Sequence, residues 1–228
     1  LVRSPAHGPL PILLLVLTAV TGVIDAVSIL TLGRVFVANM TGNVVFLGLA
    51  LAGAPGFSLT ASVAALAGFL IGAFTGGAAL RRRDGHRRRL LRDVVAAELT
   101  LVTAALVLTA ATSTGPVVAT IVAGLLAIAM GLQNTAARTL AVPDLTTTVL
   151  TMTLTGIAAD TGTTDAATIF RRLLAVLTMF AGALVGTLLV LHAPPPSALA
   201  LAVALLGVVA LVAFLRSRHT EQWHTHRR

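Results

Sequence analysis

Two short stretches carry the side chains that could do chemistry. The first, Gly22 to Gly48, reads GVIDAVSILTLGRVFVANMTGNVVFLG and contains Asp25, Asn39, Thr41 and Asn43. The second, Gly131 to Gly156, reads GLQNTAARTLAVPDLTTTVLTMTLTG and contains Gln133, Asn134, Arg138, Thr148 and Thr151. A carboxyl can hold a proton or a cation, amides and hydroxyls offer neutral ligands, and an arginine can hold an anionic group or neutralise Asp25. Such groups are costly in lipid, so within apolar segments they face protein or a water-filled cavity. The alternative is structural: Asn and Thr also join helices, and Thr hydroxyls also bond their own helix backbone.

The two stretches follow one plan. Gly22 falls on Gly131 and Asp25 on Asn134, and a shift of about one residue brings Gly48 onto Gly156. In each copy an apolar run breaks, at Gly33-Arg34 or at Val142-Pro143-Asp144, and a second polar-lined run follows. Asn39 and Asn43 are four apart and are expected on one helical face, as are Asn134 and Arg138. Thr148, Thr151 and Thr155 are expected to form one stripe. Matched interrupted segments in two halves point to a site of the transporter kind.

The rest of the chain must position these groups in a bilayer. Its 228 residues are 57% hydrophobic and only 11% charged, with mean hydropathy +0.96, about half the charged fraction of a soluble domain. The predicted class is all-α: a polytopic transmembrane helix bundle forming a single membrane domain over residues 1–228. Apolar runs cover 10–32, 35–52, 57–80, 94–111, 117–137, 145–159, 173–191 and 197–215. The first run is longer than a signal-peptide core and is read as a retained span. Gly68, Gly72 and Gly76, spaced by four, predict a close helix contact. Glu98 is expected to pair with Arg92 near the membrane interface.

Charge sets the topology. All 16 basic residues are arginine, and seven stand between Arg81 and Asp93. This stretch, 81–93, is expected as a cytoplasmic basic loop, in reach of anionic lipid head groups from Arg81 to Arg92. Arg171-Arg172 and the tail 216–228 are also basic, while the turns at 53–56, 112–116 and 192–196 are bare. The signs alternate between the two copies, which predicts inverted repeats over 10–111 and 117–215, each with three net crossings and one broken or re-entrant segment. Eight full spans in parallel repeats would leave Arg171-Arg172 and the tail outside and rank second. Both termini are expected in the cytoplasm, with the chain in the bacterial inner membrane.

The same two stretches, LGRVFVANMTGNVVFLGLAL and GLQNTAARTLAVPDLTTTVLTMTLTGIAAD, resemble the signature regions of the YoaK-like family of bacterial integral membrane proteins. The resemblance runs through nearly the whole chain. It marks Asp25, Asn39, Thr41, Gly42 and Asn43, and then Gln133, Asn134, Arg138, Pro143, Asp144, Thr146, Thr147 and Thr148. It implies a membrane location and no particular substrate.

The functional expectation is a secondary transporter or channel for a small solute or ion, with its site between the repeats at Asp25, Asn39, Thr41, Asn43, Gln133, Asn134, Arg138, Thr148 and Thr151. The alternative is a non-transporting membrane scaffold or partner subunit. Enzyme activity is not expected: there is no cysteine, no HExxH and no Gly-x-Ser-x-Gly. No cofactor or metal is expected either; the histidines at 219, 224 and 226 lie on a tail without an ordered second shell. The basic stretch is too short to fold into a nucleic-acid surface. The partners expected are the lipid bilayer and an unknown small solute or ion, and the sequence leaves room for a homo-oligomer.

Overall fold

A computed structural model describes residues 10–81, 87–112, 115–140, 150–159 and 165–217. They form eight α-helices: α1 (Leu10–Thr31), α2 (Met40–Leu51), α3 (Leu59–Arg81), α4 (Arg87–Ala111), α5 (Pro116–Leu140), α6 (Leu150–Ala159), α7 (Ala166–His192) and α8 (Ser197–Ser217). Six of them, α1, α3, α4, α5, α7 and α8, are long and apolar enough to cross a membrane. The 12 residues of α2 rise roughly 18 Å, well short of a hydrocarbon core of about 30 Å. The protein is a polytopic helical membrane bundle.

Several elements differ from the expected runs, for local reasons. The second run becomes helical only at Met40, because residues 32–39 are unwound. Gly33 (φ +90°) and Arg34 (φ +56°) both take left-handed backbone, which ends α1. Part of the expected basic loop is helix: Arg81 closes α3, and Arg87 to Asp93 form the first two turns of α4. Arginine is a good helix former, and the apolar span begins only at Leu91. Arg171 and Arg172 likewise fall inside α7, and α8 continues to Ser217 at the start of the tail.

At the centre, α1 and α5 are the most buried spans, with 72% and 50% of their apolar windows enclosed against 17–33% for the other four. Leu14, Leu17, Val20 and Ile24 of α1 and Val122, Leu126 and Met130 of α5 form the core. The outward faces stay apolar: Leu70, Phe74, Val117, Phe180 and Leu191 are all more than 60% exposed. Such a belt is stable against lipid, where it needs no polar cover.

Glycines set the closest contacts. Helix α3 packs on α5, and α1 on α7. A Cβ at Gly131 would run into Phe69 O and stand 2.8 Å from Ala73 N; one at Gly72 would run into Ile128 O. A Cβ at Gly22 would run into Met179 O and stand 2.7 Å from Ala183 N; one at Gly182 would run into Ala19 O. The second set reproduces the first with the halves exchanged. Gly72 meets the residue three before Gly131, and Gly182 meets the residue three before Gly22. Gly68, Gly72 and Gly76 meet Gly124, Ile128 and Thr135 in ascending order, so α3 and α5 run the same way; Gly182 against Ala19 and Gly186 against Val23 show the same for α1 and α7. The exchange extends outward. Helix α4 packs on α5 as α8 packs on α1, and α2 lies on α3 as α6 lies on α7. The expected glycine face of α3 is therefore a helix contact.

Backbone this close leaves no room for a methyl group, and overpacking costs about 1–3 kcal/mol or more. Gly72→Ala, Gly131→Ala, Gly22→Ala and Gly182→Ala should each lower the thermal unfolding midpoint of detergent-solubilised protein. Gly48→Ala and Gly207→Ala, where nothing stands within 4 Å of the added carbon, should leave it unchanged or raise it. Equal sensitivity at all six positions would contradict the assigned packing.

Candidate functional site

Around the break after α1, the polar side chains serve the backbone. Residues 36–38 have amides that no helix satisfies. Asp25, in the last turns of α1, accepts from Val37 N (3.2 Å) and Ala38 N (3.3 Å) through Oδ1. Asn43, in the first turn of α2, takes Phe36 from both sides: its Oδ1 accepts from Phe36 N at 2.8 Å, and its Nδ2 donates to Phe36 O. Asn39 is the N-cap of α2, with Oδ1 facing Gly42 N at 3.5 Å. Asp25 and Asn43 are buried, as are Val35, Val37 and Ala38. An unwound segment is tolerated at membrane depth only when its polar backbone is satisfied internally. Here two side chains from the flanking helices do this.

The outer side of the break is aromatic. Phe36 stacks on Phe46 at 5.3 Å, Phe46 meets Phe57 at 5.1 Å, and the Arg34 guanidinium lies 5.7 Å from the Phe57 centroid. Gly42 leaves the space that the Phe36 ring fills. Ser58 N donates to Gly33 O at 3.1 Å, so the chain enters α3 beside the place where it left α1.

The second cluster lies where α1 meets α5. Gln133 Nε2 donates to Thr21 Oγ1 at 2.8 Å, and Thr21 in turn donates to Leu17 O at 2.9 Å. Both side chains are buried, and the Gln133 carbonyl oxygen has no hydrogen-bond partner among the described residues. Asn134, the counterpart of Asp25, is half-buried and donates to Met130 O at 3.1 Å.

The structure thus gathers Asp25 and Asn43 around one break and carries Gln133 across to α1. Asn39, Thr41, Arg138 and Thr151 are exposed. Thr148 lies outside the described residues, as do Pro143, Asp144, Thr146 and Thr147. Asn39 and Asn43 do not form the expected helical face: residue 39 precedes the helix as its cap, and residue 43 turns back onto residue 36. Several threonines bond their own helix backbone, including Thr18, Thr21 and Thr178.

Glu98 departs most from expectation. It does not pair with Arg92, which binds the neighbouring Asp93 at 2.8 Å. Glu98 is fully buried, and neither carboxyl oxygen has a hydrogen-bond partner among the described residues. It occupies the middle of the buried stripe of α4, formed with Leu91, Val95, Val102 and Ala105. The spacing of that stripe was the available signal; the nearby arginines outweighed it.

Six apolar spans, two short helices and a buried polar break define a multi-pass helical membrane protein. The chain belongs to the family described as "Protein of unknown function (DUF1275)", whose model matches residues 13–212. It is similar to the UPF0700 transmembrane protein YoaK of Bacillus subtilis (strain 168), at 36% identity over 149 residues. That match spans 64% of this chain and 64% of the relative, just under two thirds of its length. No solved structure matches. The expected family resemblance holds.

Asp25→Ala should leave two buried amides without an acceptor, and Asn43→Leu two backbone groups of Phe36 without partners, at about 1–3 kcal/mol per group. Both variants should unfold at lower temperature or denaturant in detergent. Asp25→Asn keeps a carbonyl oxygen and should lose clearly less than Asp25→Ala. Equal losses for Asn and Ala at position 25 would show that the amide contacts do not hold the break.

Proposed function

We propose that this protein is a secondary transporter or channel for a small solute or ion, built from two inverted repeats and not acting as an enzyme. The observation that carries the reading is the unwound, side-chain-satisfied segment after α1, in a fold whose halves exchange their contacts. Transporters place interrupted helices of paired repeats around a site near the midplane. Three spanning helices precede α5, an odd number, which supports opposite orientation of the halves. The hydrogen bond between Ser58 and Gly33 supports a re-entrant excursion through α2 rather than a further crossing. The path runs between the halves beside Thr21, Gln133 and Asn134. Arg138 serves at its cytoplasmic end, and Thr151 flanks it from α6; Thr148 is assigned to it on sequence alone. Asp25, Asn39, Thr41 and Asn43 shape its other wall. The termini and the arginine-rich stretch face the cytoplasm in the inner membrane, where the latter meets anionic head groups.

A second reading has its own support. Asp25, Asn39 and Asn43 are engaged by backbone groups of their own segment, as a scaffold or partner subunit would also require.

Because the chain has no cysteine, single cysteines report without background. Cysteines replacing Gly53, Thr114 and Ser197 should label from outside the cell, and those replacing Arg87 and Arg218 only from the cytoplasm. A cysteine replacing Asn134 should react with small aqueous thiol reagents. Labelling of positions 53 and 197 from opposite sides would end the inverted-repeat reading. A position 134 unreactive to aqueous reagents would move the scaffold reading ahead.

A further inference from the structure

The two described polar groups left without partners inside the spans α4 and α5 are complementary. Glu98 has two unpartnered oxygens, and Gln133 has an unpartnered carbonyl. All three atoms are acceptors while Glu98 is ionised. Once Glu98 carries a proton, it has one O–H to donate.

Register places the two residues at one level. Helix α4 ends at Ala111 and α5 begins at Pro116, so these packed neighbours run in opposite directions. Val94 packs with Ala136 and Leu132. One turn onward from Val94 is Glu98; the corresponding turn back from Ala136 reaches Leu132 and Gln133. Gln133 shares a face of α5 with Ala136, three residues on.

Among the side chains described, no cation pairs with Glu98. Helix α4 packs on α5 and α8. Between Ser197 and Leu215, α8 has no titratable residue, and the only one on α5 is Arg138, which is exposed beyond Gln133. On α4 itself, Arg92 is paired with Asp93, and Arg87 to Arg89 lie two turns or more before Glu98. Asp25 belongs to α1 and is turned to Val37 and Ala38. A buried carboxylate without a paired cation is strongly disfavoured, and binding a proton removes its charge.

We propose that Glu98 is a proton-binding site inside the bundle, its protonated carboxyl donating to the Gln133 carbonyl. Proton uptake converts the carboxylate into a carboxylic acid and forms one hydrogen bond; no other bond changes. Since Gln133 already donates to Thr21, the bound proton completes a chain from α4 through α5 to α1, joining the two halves. Loss of the proton frees the Gln133 carbonyl and leaves a charge that water or a cation must reach. The proposal goes beyond the transport reading and does not depend on it.

The test is infrared difference spectroscopy of the full chain in lipid nanodiscs, titrated with acid and base in H2O and D2O. The wild type should show a carbonyl-stretch band of a protonated carboxylic acid that shifts in D2O. Glu98→Gln, an isosteric change that keeps a donor, should lose that band, and Asp25→Asn should keep it. Gln133→Leu, with Glu98 intact, should retain the band at higher frequency, as for an acid relieved of its hydrogen bond. A spectrum unchanged in Glu98→Gln at every pH overturns the proposal. Loss of the band in Asp25→Asn instead assigns the proton to Asp25 and overturns it equally. An unshifted band in Gln133→Leu removes the link between the halves. None of these readouts requires a transported solute, so failure here leaves the transport reading standing, and failure of cysteine labelling leaves this one standing.

Discussion

The fold depends on how peptide groups are satisfied where a helix stops and the chain stays buried. Each unpaired amide there costs more than most side-chain contacts return. At the first break the cost is met locally: Asp25 takes two successive amides, and Asn43 takes both polar groups of the residue before them. Left-handed backbone at Gly33 and Arg34 turns the segment so that these side chains can reach it. Without them, the backbone groups of residues 36–38 would lose the partners they have. The short α2, its aromatic stack and the return to α3 all follow from that arrangement.

A second constraint acts between helices. Apolar side chains gain little by meeting one another rather than lipid, so association depends on close fit and a few internal polar links. Glycines supply the fit at two parallel contacts, where Gly72 and Gly131 correspond to Gly182 and Gly22. Thr21 and Gln133 supply a polar link at the α1–α5 crossing. The most buried helices are therefore those that carry both.

Much of this was legible in the sequence. Span positions followed from the length of apolar runs, because a bilayer fixes how long a crossing helix must be. The break at Gly33-Arg34 was visible in residue type, and the contact of α3 in glycine spacing. The roles of polar residues were less legible. Asn39 and Asn43 are four apart, yet the helix starts between them, so periodicity misplaced both. Glu98 stands close in sequence to several arginines, and proximity suggested an ion pair; only helical phase reveals that it points inward. Gln133 was marked from its chemistry, but its partner Thr21 lies in the other half, and no local pattern encodes a contact over that separation.

The crossed glycine contacts also bear on assembly. Gly22 on α1 is shaped for Met179 to Ala183 on α7, which are made much later. At ribosomal speeds of about 5–20 residues per second, the first helix waits roughly ten to thirty seconds for its mate. During that interval the surface of α1 around Gly22 lacks the partner it meets in the whole chain. Neither half can close alone, since each lends its third helix to the other. A fragment containing only the first four helices would leave Gly22 of α1 and the glycine face of α3 without the helices they meet in the whole chain.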